Sequence, residues 1–313
     1  MTGHSRESAK DGDPRPIFLL GIMHRSGTNF LAQLLEQHPR IGRGPVPEDF
    51  LVAKLSALEL YLRRVTGEWN PRWPVNDRSL DLRKALGAGL SAFATLQAAR
   101  GETYALARTP SVGGLAFVRQ FLPDAHLIIL LRDGRAVIES GRRSFGWNFD
   151  DAARRWDASA RMIRNFISED PHPARTILVR YEDLVSRRDE EVERILGFLK
   201  LNPAELSDDA LTNTPVIGSS DLKSAGNEAV HWEPAQFEDF RPLERFATWT
   251  KSERLRFDWL AGEMLEAFGY SDNRMDHGKS GAALQNCRTF LAACRPTALR
   301  HSVRRLIRGA PPG

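Results

Sequence analysis

A chain of 313 residues, 42% of them apolar, can bury one substantial core, and two cysteines are too few for a disulfide framework. The formal charge of +4 is uneven: residues 274–313 carry eight Lys/Arg against one acid, a net of +7, which leaves −3 for residues 1–273. A near-neutral body excludes the broad basic surface of a nucleic-acid-binding domain, and no run approaches the roughly 18 apolar residues of a membrane span, so the expectation is a cytoplasmic α/β protein.

Residues 1–15 are polar and charged and read as a flexible leader. Ile17 to Leu20 is a short apolar run, fit for a strand buried on both faces. Gly21 to Thr28 is a loop holding Gly27 and one basic residue, Arg25. Asn29 to Gln37 is apolar at 30, 31, 34 and 35, a helical face closed by Pro39. Strand, glycine-bearing loop and helix together make a phosphate cradle. The backbone N–H groups of residues 26–29 point into it, the helix start adds partial positive charge, and Arg25 adds a full one. A Walker A loop would carry lysine between Gly27 and Thr28; here the cation comes two residues before Gly27.

Arg40 to Phe50 has two glycines and two prolines and reads as a loop. Within it, Glu48 and Asp49 follow Pro47 and precede the apolar-periodic Leu51 to Leu62. They either cap that helix or turn one carboxylate toward the phosphate loop as a general base. Trp69 to Trp73 is an aromatic turn at the surface. Ser79 is placed to cap a helix running to about Ala99, few in charges after Lys84 and therefore expected to be largely buried. Tyr104 to Ala107 reads as a strand ended by Arg108-Thr109-Pro110. In an open α/β sheet, a basic residue at the carboxyl end of a strand lies where ligands bind.

Val112 to Phe121 continues as a helix. His126 to Leu131 is the most apolar strand pattern and is expected to be central. It runs into Arg132-Asp133-Gly134-Arg135-Ala136, with Ser140 eight residues after Arg132. Arg132 at a strand end and Ser140 on the second or third turn of the next helix can converge on one anion. A strand that ends in arginine argues against a Mg²⁺-nucleotide site, although Asp133 supplies an acid one position later. Arg135 is expected to pair with a nearby carboxylate. Asn148 or Asp150 opens a helix to about Ile167, with Ala152, Ala153, Trp156, Ala160, Ile163 and Phe166 as its apolar face. Thr176 to Val185 is a strand and loop, and Asp189 opens the helix Glu190 to Leu199. Residues 203–240 are irregular, Lys251 to Phe268 is a helix ending at Gly269, and Leu284 to Ile307 is an arginine-rich amphipathic pattern broken by Pro296. Cys287 and Cys294, seven apart, read as packed thiols.

Arg25-Ser26-Gly27-Thr28 and the Arg132-Asp133-Gly134-Arg135-Ala136…Ser140 pattern resemble the two nucleotide motifs of sulfotransferases that use 3′-phosphoadenosine 5′-phosphosulfate (PAPS). Val179-Arg180-Tyr181-Glu182-Asp183-Leu184 resembles a third family segment, and the likeness covers roughly residues 16–270. It implies a P-loop-like three-layer α/β fold with a mainly parallel sheet, a sulfotransferase domain over 16–273 and a basic, partly helical tail over 274–313. By the resemblance, Arg25, Ser26, Gly27, Thr28 and Asn29 grip the 5′ end of PAPS, Arg132 and Ser140 hold its 3′-phosphate, and Tyr181 fixes the nucleotide. Ser219, Ser220 and Lys223 are late-loop candidates, with Arg245 further on. Glu48 would be the base, Asp49 the fallback. Arg108, where the family often has lysine, would meet charge on the leaving phosphate. The implied chemistry needs no metal and leaves adenosine 3′,5′-bisphosphate. The acceptor would be a hydroxyl of a small molecule, carbohydrate or peptide, with no nucleic acid involved and membrane contact only through the tail. The alternatives are a P-loop nucleotide kinase and a non-catalytic nucleotide-binding protein. The acceptor and the oligomeric state carry no readable code.

Overall fold

The computed structural model of the chain describes residues 14–73, 78–99, 101–206 and 243–270. The leader up to residue 13, Ser219, Ser220, Lys223, both cysteines and the basic tail lie outside the described residues. Contacts divide the chain into two units, residues 1–245 and 246–313. Among the described residues no helix is long and apolar enough to cross a membrane.

The first unit is built on five strands: β1 (Arg15–Gly21), β2 (Ile41–Arg43), β3 (Tyr104–Thr109), β4 (His126–Leu131) and β5 (Thr176–Arg180). They lie in the order β2-β3-β1-β4-β5, and every pairing is parallel. Leu19 of β1 stands opposite Arg108 of β3 on one side and Ile128 of β4 on the other. A parallel sheet is covered on both faces, and Ile17, Phe18, Leu19 and Leu20 are all fully buried. Each such side chain contributes about 1.5–3 kcal/mol.

Over one face close α1 (Thr28–Leu35), α7 (Tyr181–Ser186) and α8 (Arg188–Phe198), which share a core with Ile17, Leu19, Leu106, Ile128, Leu130 and Val179. The helices α2 (Leu55–Gly67), α3 (Arg78–Ala94), α4 (Leu115–Phe121), α5 (Gly134–Phe145) and α6 (Phe149–Glu169) pack on one another, and α3 also meets β1 and β3. Asn148 caps α6 by accepting from the Asp151 N–H at 3.1 Å. Ala152, Ala153, Trp156, Ala160 and Ile163 are fully buried, whereas Phe166 is half-buried. In the second unit α9 (Lys251–Ala267) starts on a capping box of Thr250 and Glu253 and is followed by Gly269 at φ 76°.

Four expectations need correction. β4 is not the middle strand; β1 is, because β4 has β5 on its far side. The Arg40–Phe50 segment is not all loop. Ile41 is buried and pairs with Tyr104, making the three-residue edge strand β2 before the prolines intervene. The helix assigned to Ser79–Ala99 does not start on Ser79 as a cap and is not largely buried: α3 begins by Arg78, and only Gly87 and Ala94 are buried. Its few charges reflect small residues instead of a core position. Gly87 lets the backbone close on Phe121, whose carbonyl oxygen a Cβ would strike. Finally, the loop expected after β5 is the short helix α7, opened by Tyr181.

Candidate active site

The loops that follow β1, β3, β4 and β5 leave the same edge of the sheet, the carboxyl edge, where open α/β folds bind ligands. After β1 the chain turns through Ile22–Gly27. Arg25 holds a left-handed conformation at φ 73°, which costs a non-glycine residue about 1 kcal/mol. Gly27 caps α1 at φ 98° with no side-chain cap, and the first turn of α1 carries no acid. The N-terminal N–H groups of α1 and their partial positive charge are therefore left for a ligand. Among the described residues, the hydroxyl of Ser26, fully buried, and Oδ1 of Asn29 have no hydrogen-bond partner. Buried polar atoms in this state are what a bound anion with its own hydrogen-bonding groups would satisfy.

The second motif closes on the first. Arg132, at the end of β4, donates from Nη1 to the Arg25 carbonyl at 2.8 Å, and this bond braces the strained residue. Trp156 of α6 holds the Arg132 carbonyl through Nε1 at 3.1 Å. Arg25 donates from Nε to the Ser140 hydroxyl at 3.1 Å. Tyr181, the first residue of α7, lays its ring on Gly27, where any Cβ would strike it. The Arg132 guanidinium lies 4.1 Å from the centre of the same ring. Burial pushes the Tyr181 phenol up, with the Arg132 charge opposing. Arg25, Gly27, Arg132, Ser140 and Tyr181, expected from separate motifs, are thus brought together.

Arg135 is structural, as expected. It pairs with Asp133, Nη2 to Oδ2 at 2.6 Å, with both side chains buried. Asp133 also accepts from the Arg135 N–H at 2.8 Å as the cap of α5. The acid that left a Mg²⁺ site open is therefore committed to an arginine.

Glu48 and Arg108 line the same cleft as Arg25, Thr28 and Arg132. Arg108 donates from Nε to the Pro47 carbonyl at 2.8 Å, and burial followed by the field of Glu36, Glu48 and Asp49 sets its titration, the burial lowering it. Asp49 is tied down. Its Oδ1 accepts from the Leu51 N–H at 2.7 Å and from the Thr109 hydroxyl at 3.0 Å, and its own N–H bonds the Arg108 carbonyl. Glu48 is half-buried and makes no hydrogen bond or ion pair among the described residues. The neighbouring carboxylates have separated, but neither caps a helix: Asp49 closes a local turn on Leu51 and ties it to Thr109, whereas Glu48 lines the cleft.

Cleft residues not singled out from the sequence include His24, Gln33 and Phe145. The His24 ring lies 6.0 Å from that of Phe50, and burial lowers its imidazole pKa although Glu48 acts against this. Phe145, at the end of α5, lies 5.7 Å under the Arg25 guanidinium. His24 sits beside Arg25 in the loop, but nothing in the local pattern says which way a loop side chain points. Arg245 is buried and its charge reaches Tyr181. Trp69–Trp73 is a turn with Trp73 exposed, and none of it lines the cleft.

Known proteins similar to this chain include the following. The chain resembles nodulation protein NoeE of Sinorhizobium fredii, 26% identical over 304 residues, covering 85% of this chain and 68% of that protein. It is 21% identical over 193 residues to protein-tyrosine sulfotransferase A of Caenorhabditis elegans, covering 59% of this chain and 50% of that protein. The solved sulfotransferase domain from the olefin synthase of Synechococcus PCC 7002 shares the fold, with a TM-score of 0.53, 22% identity, and coverage of 83% of this chain and 96% of that one. The model of the sulfotransferase family matches residues 16–205, from the first strand to past α8, and the chain belongs to that family.

Proposed function

We propose that the cleft between the residue 22–29 loop and Glu48 transfers a sulfuryl group from PAPS to an acceptor hydroxyl. The observation that carries this reading is the Arg25–Ser140 hydrogen bond. It joins two phosphate-type motifs 115 residues apart into one basic cleft that a carboxylate also lines. PAPS, when bound, supplies the sulfuryl group and the leaving phosphate. In the proposed reaction the acceptor oxygen–sulfur bond forms as the sulfur–phosphate oxygen bond breaks in line. The acceptor proton passes to a Glu48 carboxylate oxygen. Arg25, Arg108 and the N–H groups of residues 26–29 meet the negative charge on the leaving phosphate. Arg132 and Ser140 bind the 3′-phosphate, and Tyr181 holds the loop backbone in place. Fixed guanidinium groups take the part that Mg²⁺ has in kinases.

A cytoplasmic setting is supported by cysteine usage, two in 313 residues, which suits a reducing compartment. The domain is proposed to span 16–273, and the acceptor to be a small molecule, carbohydrate or peptide. Calorimetric titration of the full chain with adenosine 3′,5′-bisphosphate, and separately with Mg-ATP, tests the reading. The bisphosphate is expected to bind and Mg-ATP not to. Binding of Mg-ATP alone would make the cleft a kinase site.

A further inference from the structure

A second cleft, of about 360 Å³, opens beside the first and shares Gln33 and Arg108 with it. That volume falls at the small end of sites that hold organic ligands. Its walls are the outer side of α1, the end of β2 and the Gly44–Pro47 loop, with Gln97 from the segment after α3.

Glu36 is the group the reaction does not use. Its side chain is 13% exposed, and among the described residues its only ion pair is with Arg43, Nε to Oε2 at 2.9 Å. A carboxylate here is poorly placed for structure. Glu36 is the C-cap of α1, where the helix dipole disfavours negative charge. Its partner is 78% exposed, so the pair adds little to stability. Burial raises the pKa of Glu36, with Arg43 and Arg108 opposing. A half-desolvated carboxylate held at the mouth of a cleft by an exposed arginine is an arrangement suited to a ligand.

We propose that this cleft is the acceptor subsite and that the acceptor is a neutral carbohydrate; this rests on the sulfuryl-transfer reading of the adjoining cleft. The chemistry selects the class. Sugar hydroxyls both donate and accept. The Glu36 carboxylate takes donated hydrogen bonds, the Arg43 and Arg108 guanidinium groups give them, and the Gln33 and Gln97 amides do both. Pro45, Val46 and Pro47 offer an apolar ledge for the C–H face of a ring, with Val46 40% exposed. A tyrosyl peptide finds no aromatic side chain on these walls. Gln33 and Arg108 line both clefts, so an acceptor seated here adjoins the cleft that Glu48 lines.

The test uses the full chain saturated with adenosine 3′,5′-bisphosphate, applied to an array of neutral glycans and an array of tyrosine peptides. Retention on one or more neutral glycans is expected. Glu36→Gln and, on a separate segment, Gln97→Ala should each weaken it at least tenfold, with bisphosphate affinity by calorimetry unchanged. Retention on peptides alone, on no glycan, or equally by both variants would overturn the proposal while leaving the donor cleft intact. Failure of the wild-type chain to bind the bisphosphate would overturn both readings.

Discussion

Two parts of the main cleft are built differently. In the part formed by residues 25–27, 132, 140 and 181, each group is held by another. Arg132 braces the Arg25 carbonyl, Arg25 bonds Ser140, and the Tyr181 ring lies between Gly27 and Arg132. Elsewhere in the cleft, Glu48 has no hydrogen-bond or ion-pair partner among the described residues, and Arg108 is anchored by the Pro47 backbone carbonyl. A fixed anion site needs donors already in place before charge arrives, since reorganisation would consume the binding energy. A proton acceptor needs an oxygen left available to the acceptor hydroxyl, so a fully satisfied carboxylate could not serve. The contrast separates binding from chemistry, and it can be broken residue by residue.

The largest effect is expected in the loosely held part. Glu48→Gln keeps the side chain's size and removes its basicity. Turnover should fall by roughly 10²–10⁴-fold, the usual contribution of a general base. Affinity for adenosine 3′,5′-bisphosphate, read by calorimetry, should stay within a factor of two or so, because no hydrogen bond or ion pair among the described residues ties Glu48 to the groups proposed to grip it. A wild-type rate would remove Glu48 as the base.

Arg132→Ala breaks the tightly held part and should invert that pattern. Bisphosphate binding should weaken by about 1.5–3 kcal/mol, the scale of a charged hydrogen bond, partly through the lost brace on Arg25. Affinity equal to wild type would show that the arginine is structural only.

Asp49→Ala asks whether the two adjacent acids have truly divided their roles. The substitution removes the acceptor for the Leu51 N–H and leaves the buried Thr109 hydroxyl without its partner. A loss of about 1–2 kcal/mol in unfolding free energy is expected, with turnover per folded molecule far less affected than in Glu48→Gln. If Asp49→Ala abolished turnover and Glu48→Gln did not, the assignments would be exchanged.

That division also marks how far the sequence could be read. Arg25 to Thr28, and Arg132 with Ser140, were legible because the backbone dictates their spacing. A strand end and a position on the next helix have a fixed offset, whatever the rest of the fold does. β1, β3, β4, β5 and most helices were legible through apolar periodicity. Glu48 and Asp49 could not be told apart, since their difference lies in Thr109, 60 residues away. His24 and Phe145 were missed because loop side chains have no period. β2 was hidden among glycines and prolines since three residues are too few to alternate, and α3 misled because small residues mimic the low charge of a buried helix.

The smallest effect concerns support beneath the site. His126 opens β4, the strand that ends in Arg132, and its ring lies between those of Tyr104 and Phe198, at 5.5 and 5.6 Å. Burial, with the nearby arginines Arg15, Arg175 and Arg119, lowers its pKa from 6.5 to about 4. The folded state therefore takes up this proton less readily than the unfolded one. The resulting stability is present above pH 6.5 and is lost as pH falls toward 4. The ring is partly exposed, so the full shift overstates the energy; after solvent screening about 1 kcal/mol is a fair scale. Asp170, lowered by Arg119 and Thr176 against its burial, also loses stability in acid, so wild-type unfolding alone cannot isolate the histidine. The informative quantity is a difference. Urea unfolding of wild type and His126→Phe at pH 7 and pH 4.5 should give a smaller acid loss for the variant, because phenylalanine keeps the ring contacts and cannot titrate. Equal losses would mean that the imidazole titrates as it does in the unfolded chain, and that acid weakens β4 through its carboxylate neighbours instead.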